Sequence, residues 1–226
     1  MTWGFEFINN DDVVIVDSEY GRLSRLSEGR FVPNQESGLG SITSFERPIT
    51  TQEPPLVFVK PDNVGLVSGL CRALIIGSAG NWTGFYVRAN DVKSAQPRGS
   101  YFAAAFQSRA VAQWGARLFD QNENVIYDTG TPSAVFTRAL QGWTYVTFDR
   151  DAQGLPRMYF SVPFNFNSQE YMLLNNFGMD VAGNSLRPSS IYCWWDFPGN
   201  RLWAITIGAS PANTLYVPAL FAKMQA

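Results

Sequence analysis

The chain has 226 residues and no histidine, which removes Ser-His-Asp and Cys-His catalysis, His-ligated zinc and imidazole acid–base work together. Its 17 basic and 19 acidic residues leave a formal net charge of -2, so there is no electrostatic footprint for nucleic acid or anionic lipid. Charged residues are scarce at 16% and aromatics abundant at 15%, a balance suited to a surface partly covered by another protein.

Met1 leads directly into an apparent strand, without a basic start or an apolar signal region, so a chain made in a reducing cytosol is expected. No apolar run approaches the length of a membrane-spanning helix. Cys71 and Cys193 lie far apart and read as two buried thiols in preference to a disulfide.

The first eighteen residues read as one β-hairpin. Trp3, Phe5 and Phe7 alternate onto one face, Asn9 to Asp12 supply a turn, and the β-branched run Val13 to Val16 brings the chain back. Tyr20 to Leu26 and Gly29 to Val32 follow as two short strands separated by Ser27-Glu28. Asn34 to Gly40 is a loop, and Ser41 to Glu46 is a strand that Pro48 stops. Leu56 to Val59 is a compact apolar strand bracketed by prolines. Gly65 to Leu70 and Arg72 to Ile76 pair as strands. Gly77 to Asn81 is a turn, Trp82 to Arg88 a strand, and Ala89 to Ser100 a linker.

Tyr101 to Phe106 then leads into a second copy of the opening hairpin. Trp114 to Thr129 aligns with Trp3 to Ser18 without a gap, with identities at Trp3/Trp114, Gly4/Gly115, Val14/Val125, Ile15/Ile126 and Asp17/Asp128. Unrelated segments of this length share roughly one identity at average usage. The match therefore reads as an internal duplication, with convergence of similar hairpins as the alternative. Both tryptophans are expected to be buried at the start of their hairpins.

Beyond the second hairpin, Ala134 to Leu140 and Trp143 to Phe148 alternate well. The latter is joined to Pro156 to Val162 through Asp149 to Gly154. Phe164 to Asn167 reads as an exposed aromatic loop and Tyr171 to Leu174 as a strand. Ile191 to Asp196 and Leu202 to Ile207 form a hairpin across Phe197 to Asn200. Many short strands and no helix-period stretch predict an all-β fold, a β-sandwich or jelly-roll-like arrangement of two hairpin-led halves, 1–98 and 99–226, which could form one compact domain.

The repeated pattern, aromatic-Gly followed by an apolar strand, a polar turn, apolar residues and Asp-Ser/Thr, resembles a group of tail-region proteins of long-tailed bacteriophages and prophages of Gram-negative bacteria. The segment Pro55-Leu56-Val57-Phe58-Val59 is a further point of resemblance, which covers roughly Met1 to Asp128. It implies a non-enzymatic structural component of the virion tail, in the tail-tip region, made in the host cytoplasm. Its partners would be other tail proteins, within an oligomeric particle, and a host surface glycan or receptor is a further candidate. The family offers no catalytic residues to carry over, and no cofactor or metal is expected.

Candidate chemistry is sparse. Asp149-x-Asp151-x-x-Gly154 lacks the third ligand and closing Glu of a calcium loop and reads as a hairpin turn. Gly77 to Gly80 could cradle an anion but lacks the lysine and the helix of a phosphate loop. Asn81-Trp82-Thr83 is a glycosylation sequon only in a secreted eukaryotic protein. A carboxylate hydrolase would need two carboxyls in one cleft roughly 5 to 9 Å apart.

One aromatic cluster could serve as a ligand or partner platform: Trp194, Trp195, Asp196, Asn200, Arg201 and Trp203. Adjacent Trp194 and Trp195 must face opposite sides of a strand; either the two are shared between the core and a second sheet, the reading preferred, or one is left as a surface ring on which a sugar or a partner's side chain could stack. That platform supports an alternative function, a carbohydrate- or receptor-binding sandwich. The C-terminal run Leu215, Tyr216, Val217, Leu220, Phe221, interrupted by Pro218, is expected to form an apolar edge or extended arm that covers its own sheet edge or packs on a neighbour, the neighbour being preferred.

Overall fold

The computed structural model describes residues 6–8, 14–17, 21–89, 98–166, 169–177, 180–181, 189–208 and 212–225. Strands dominate it. The first half contains β1 (Glu6–Ile8), β2 (Val14–Asp17), β3 (Leu23–Phe31), β4 (Gly40–Ile49), β5 (Leu56–Pro61), β6 (Val67–Ser78), β7 (Asn81–Ala89) and β8 (Gly99–Phe106). The second contains β9 (Arg117–Phe119), β10 (Val125–Asp128), β11 (Ser133–Leu140), β12 (Thr144–Arg150), β13 (Pro156–Pro163), β14 (Tyr171–Leu173), β15 (Asp180–Val181), β16 (Ser189–Asp196), β17 (Arg201–Ile207) and β18 (Ala219–Gln225). No helix among the described residues is long and apolar enough to cross a membrane.

Apart from the β1–β2 and β9–β10 hairpins, which are two-stranded sheets of their own, the strands form two packed layers. One is a closed barrel in the order β11-β18-β14-β5-β8-β3; the other is an eight-stranded sheet with the path β12-β13-β17-β16-β6-β7-β4, on which β15 adds to β16. The architecture is an all-β sandwich of antiparallel sheets. Leu23, Phe58, Phe102, Ala104, Ala134, Leu173 and Ala222 form a small core of their own. The larger core, with Phe31, Phe85, Phe160, Trp195 and Leu202 fully or almost fully buried, packs barrel strands against the sheet.

The duplication extends well beyond the hairpins. The alignment that sets Trp3 against Trp114 carries the pairs Glu6↔Asp17, Phe7↔Val16 and Ile8↔Val14 onto Arg117↔Asp128, Leu118↔Tyr127 and Phe119↔Val125. The register shift falls at the same place in both hairpins. Continued without a gap, the alignment maps the bulge of β3 between Arg25 and Ser27 onto the bulge of β11 between Phe136 and Arg138. From there β8 corresponds to β18 and β5 to β14, since each partner pairs in the same register.

Both layers consequently read as two-fold patterns. The barrel is β11-β18-β14 followed by β5-β8-β3, and the inner sheet is β13-β17-β16 followed by β6-β7-β4. Every joint between halves, β14 to β5, β16 to β6 and β11 to β3, is antiparallel. Both halves contribute to both layers, so they share one body. The border expected between 98 and 99 moves to the far side of Phe106, because β8 is the counterpart of β18. Strand β12 has no counterpart: it occupies the longer connection between β11 and β13.

Several sequence expectations are corrected. Gly65 to Leu70 and Arg72 to Ile76 do not pair with each other: Val67–Ser78 is one strand, paired with β7 and β16. Leu23 to Phe31 is a single strand, because Ser27-Glu28 lies at a bulge that breaks the alternation without ending the ladder. Phe164 is buried, not exposed, and packs against Phe221 at 4.9 Å between ring centroids. Most of the C-terminal run is engaged within the chain and is not a free arm. Ala219–Gln225 is an internal barrel strand paired with β11 and β14, and Pro218 precedes it where no ladder donor is needed. Phe221 is 2% exposed, and Leu220 packs on the small core. Leu215 and Val217 are half-buried against the chain's own core, and the Trp143 indole Nε1 donates to the Val217 carbonyl at 2.7 Å. Tyr216 alone of that group points into solvent.

Candidate functional site

The second hairpin is the most distinctive surface feature, and its repeated residues can be taken one at a time. Asp128 is buried and ties the hairpin base together. Its carboxylate accepts the Ala112 and Gly130 backbone N–H groups at 3.0 and 2.9 Å and the Arg117 Nε at 2.8 Å. Burial pushes the Asp128 carboxyl up, but these donors outweigh it and hold the group below its ordinary value. Gly115 sits at φ +135°, where a Cβ would lie 2.0 Å from the Thr129 hydroxyl, so glycine is required by both conformation and space. Ile126 is buried, and its carbonyl accepts the Ser108 hydroxyl at 3.1 Å. Ser108 also contacts the Ser24 hydroxyl at 3.0 Å, which fastens the hairpin to β3.

Trp114 is different. It is 92% exposed, contrary to the expectation of burial; its counterpart Trp3 lies outside the described residues. Gly115, with its reversed backbone conformation, turns the chain just after the indole, so period-two alternation does not extend to Trp114. Phe106, Val111 and Phe119, on the hairpin and the segment leading to it, are also exposed. The second copy thus uses Gly115 and Asp128 for its own architecture and displays Trp114 to solvent.

The sequence-predicted platform is located on the β16–β17 hairpin. Trp194 and Trp195 do face opposite sides: Trp195 is 3% exposed within the main core, while Trp194 is half-buried on the outer sheet face. Trp194 lies directly across from Trp203 and meets the Tyr159 ring edge-on at 5.9 Å. The Asp196 carboxylate accepts the Gly199 N–H at 2.9 Å and the Trp203 indole at 3.2 Å. Arg201 donates to the Ser161 hydroxyl and lies over the Trp203 ring at 5.7 Å. Asn200 is a turn residue at φ 49° whose carbonyl accepts the Phe164 N–H. Asp196 and Arg201 are thus committed to partners within the chain. Trp195 is removed from the surface altogether. What the platform offers outside is the Trp194 and Trp203 rings, and the buried Trp194 Nε1 has no hydrogen-bond partner among the described residues.

A cleft of about 180 Å³ opens between the layers, lined by Phe164, Phe166, Phe197 and Met172 with Lys60 and Glu170 among its polar groups. Glu170 pairs with Arg138 at 2.6 Å, and the Arg138 guanidinium stacks 4.5 Å from the Phe164 ring. Asp62, also on the cleft, is held by Arg30. Both carboxylates are thus ion-paired acceptors. Every described carboxyl whose pKa departs from its ordinary value, Glu36, Asp120, Asp128 and Asp149, is shifted down.

The remaining sequence candidates resolve as turns. Asp151 caps the β12–β13 turn by accepting the Gln153 and Leu155 N–H groups at 3.0 and 2.7 Å. Ala79-Gly80 closes the β6–β7 hairpin between Ser78 and Asn81. Cys193 is a free, buried thiol whose pKa burial pushes well up, and the side chain of Cys71 lies outside the described residues. Comparison with family models, curated proteins and solved structures returns no match.

Proposed function

We propose that this protein is a non-enzymatic structural component of the tail of a long-tailed bacteriophage, placed near the tail tip and carried in the virion after synthesis in the host cytoplasm. In this reading it binds other tail proteins and assists assembly or host attachment. The observation that carries the proposal is the recurring aromatic-Gly hairpin, the motif of the resemblance, whose second copy holds Trp114 in solvent. A tryptophan with no packing role in its own fold suits a contact with another protein, where tryptophan is enriched among the dominant residues. The scarcity of surface charge fits the same role.

The experiment is quantitative mass spectrometry of phage particles produced from the gene's own locus. A fixed number of copies per tail, retained through density-gradient purification, is expected. Absence of the chain from otherwise complete tails would refute the proposal.

A second reading, binding of a host glycan, draws on the Trp194 and Trp203 rings on the outer sheet face. It predicts that neutral oligosaccharides quench tryptophan fluorescence in the wild type and not in Trp203→Ala; no quenching by any member of a glycan panel would dismiss it.

A further inference from the structure

The two ends of the large sheet are treated in opposite ways. At one end the free edge of β4 is closed by the chain itself. The Asn34 side chain takes the place of a neighbouring strand: its Oδ1 accepts the Ile42 N–H at 2.9 Å and its Nδ2 donates to the Ile42 carbonyl at 2.8 Å. Farther along, the Tyr101 hydroxyl donates to the Ser44 carbonyl and the Ser27 hydroxyl accepts the Glu46 N–H. Pro48 has no donor to offer, and β4 loses register with β7 between Ser44 and Ile49. These are the devices by which proteins block edge pairing.

At the other end lies β12, the strand with no counterpart in the duplication. It covers β13, which corresponds to β4, and it is itself the terminal strand. All seven residues, Thr144 to Arg150, are exposed. The strand contains no proline or glycine, and among the described residues nothing pairs with its outer edge. Tyr145 and Phe148, opposite the buried Phe160 and Met158, overhang an open cleft of about 590 Å³ that Met158, Ala212 and Asn213 complete. An edge of this length with no partner among the described residues, flanked by an open cleft, is a template for another strand.

We infer that β12 is the edge through which two copies of this chain pair, antiparallel and about a two-fold axis, joining their large sheets into one. Two observations select a second copy as the occupant. The fold already joins its own halves in this manner, since β16 meets β6 and β14 meets β5 as antiparallel counterparts. The strand is also compatible with itself. Its charges, Asp149 and Arg150, stand at one end, and its other end, Thr144 to Val146, is uncharged. An antiparallel pair centred on Thr147 or Phe148 therefore sets no charge against its own kind. Centred on Phe148, the pair sets the Phe148 rings of the two copies side by side between the two clefts. The inference does not depend on the tail proposal and holds for the isolated protein.

The contact is about 23 Å long at strand geometry. It buries less than a standard interface of about 1,600 Å², so the dimer is expected to dissociate with a Kd in the micromolar range, about 1 to 100 μM. Sedimentation velocity across that range tests it, together with hydrogen exchange at the two extremes of concentration. The expected result is a monomer–dimer equilibrium in which β12 amides slow at high concentration. Val146→Lys, at an exposed position in the β12 bulge, is expected to abolish the dimer without changing the monomer's circular dichroism. A monomer throughout, a dimer in which β12 amides exchange at the monomer rate, or a dimer that Val146→Lys leaves intact would each overturn the inference. The exchange measurement is made on the unmodified chain, so the test does not depend on the variant folding.

Discussion

Phe58 of β5 stands directly opposite Leu173 of β14, and the two residues occupy the same position in the two halves of the chain. The pair marks where the internal two-fold axis passes through the barrel. Both side chains lie in the small core, with Phe58 stacked on Phe102 at 4.6 Å. Leu174, one residue on, donates its N–H to the Val57 carbonyl at 2.8 Å. The duplication therefore built one sandwich from two halves that close on each other, and neither half can bury its barrel strands alone.

From that closure it follows that damage at the axis unfolds both halves together. Phe58→Ala should cost about 3 to 5 kcal/mol and Leu173→Ala about 2 to 5 kcal/mol. The double variant should depart from additivity because the side chains share one core. Denaturant unfolding followed by tryptophan fluorescence and circular dichroism should give one coincident transition; two separated transitions would show halves that fold independently.

Asp128 links stability to pH. Its folded-state carboxyl lies below the ordinary value, so its stabilisation is fully present above the unfolded pKa of about 4 and is lost as pH falls through the folded value. Asp128→Ala should cost about 1 to 3 kcal/mol at neutral pH, since the Ala112 and Gly130 donors lose their acceptor. Asp128→Asn should flatten part of the acid limb. Denaturation midpoints at neutral pH and near pH 3 check both, and an acid limb unchanged in Asp128→Asn would remove the carboxylate from the account.

On the opposite edge, Asn34→Ala should uncover β4. The Ile42 amide loses its acceptor, and its hydrogen exchange should accelerate by at least about tenfold, as expected when a bond of roughly 1.4 kcal/mol is lost. Unchanged exchange would mean that the Asn34 side chain does not guard that edge.

The sequence reveals pairs more readily than places. Both hairpin copies, the β12–β13 and β16–β17 pairings and the opposite facing of Trp194 and Trp195 follow from alternation and turn residues, which are local. The two-fold organisation beyond the hairpins is hidden, because its core positions have exchanged sizes. Ala103 in β8 corresponds to Phe221 in β18, while Tyr101 corresponds to Ala219, and all four are buried. Such exchanges conserve total volume while erasing identity. The exposure of Trp114 was equally illegible, since it depends on the reversed backbone at Gly115. Ala219–Gln225 reads as a terminal apolar run, and only the closure of the barrel around it makes it internal. At the platform, the sequence brings Asp196, Arg201 and Trp203 together correctly. It does not reveal that the polar groups are already engaged within the chain.

Trp114 separates the fold from its proposed role. At 92% exposure its truncation to Ala should change stability by less than about 0.5 kcal/mol. Incorporation into particles should nonetheless fall. The most direct measurement is therefore the copy number of Trp114→Ala relative to wild type in purified tails, made from the gene's own locus with equal expression of soluble, folded protein. The account predicts loss of at least about nine-tenths of the copies, as a contact worth about 1.4 kcal/mol or more would give under limiting conditions. Incorporation equal to wild type would contradict the claim that this hairpin is the docking element.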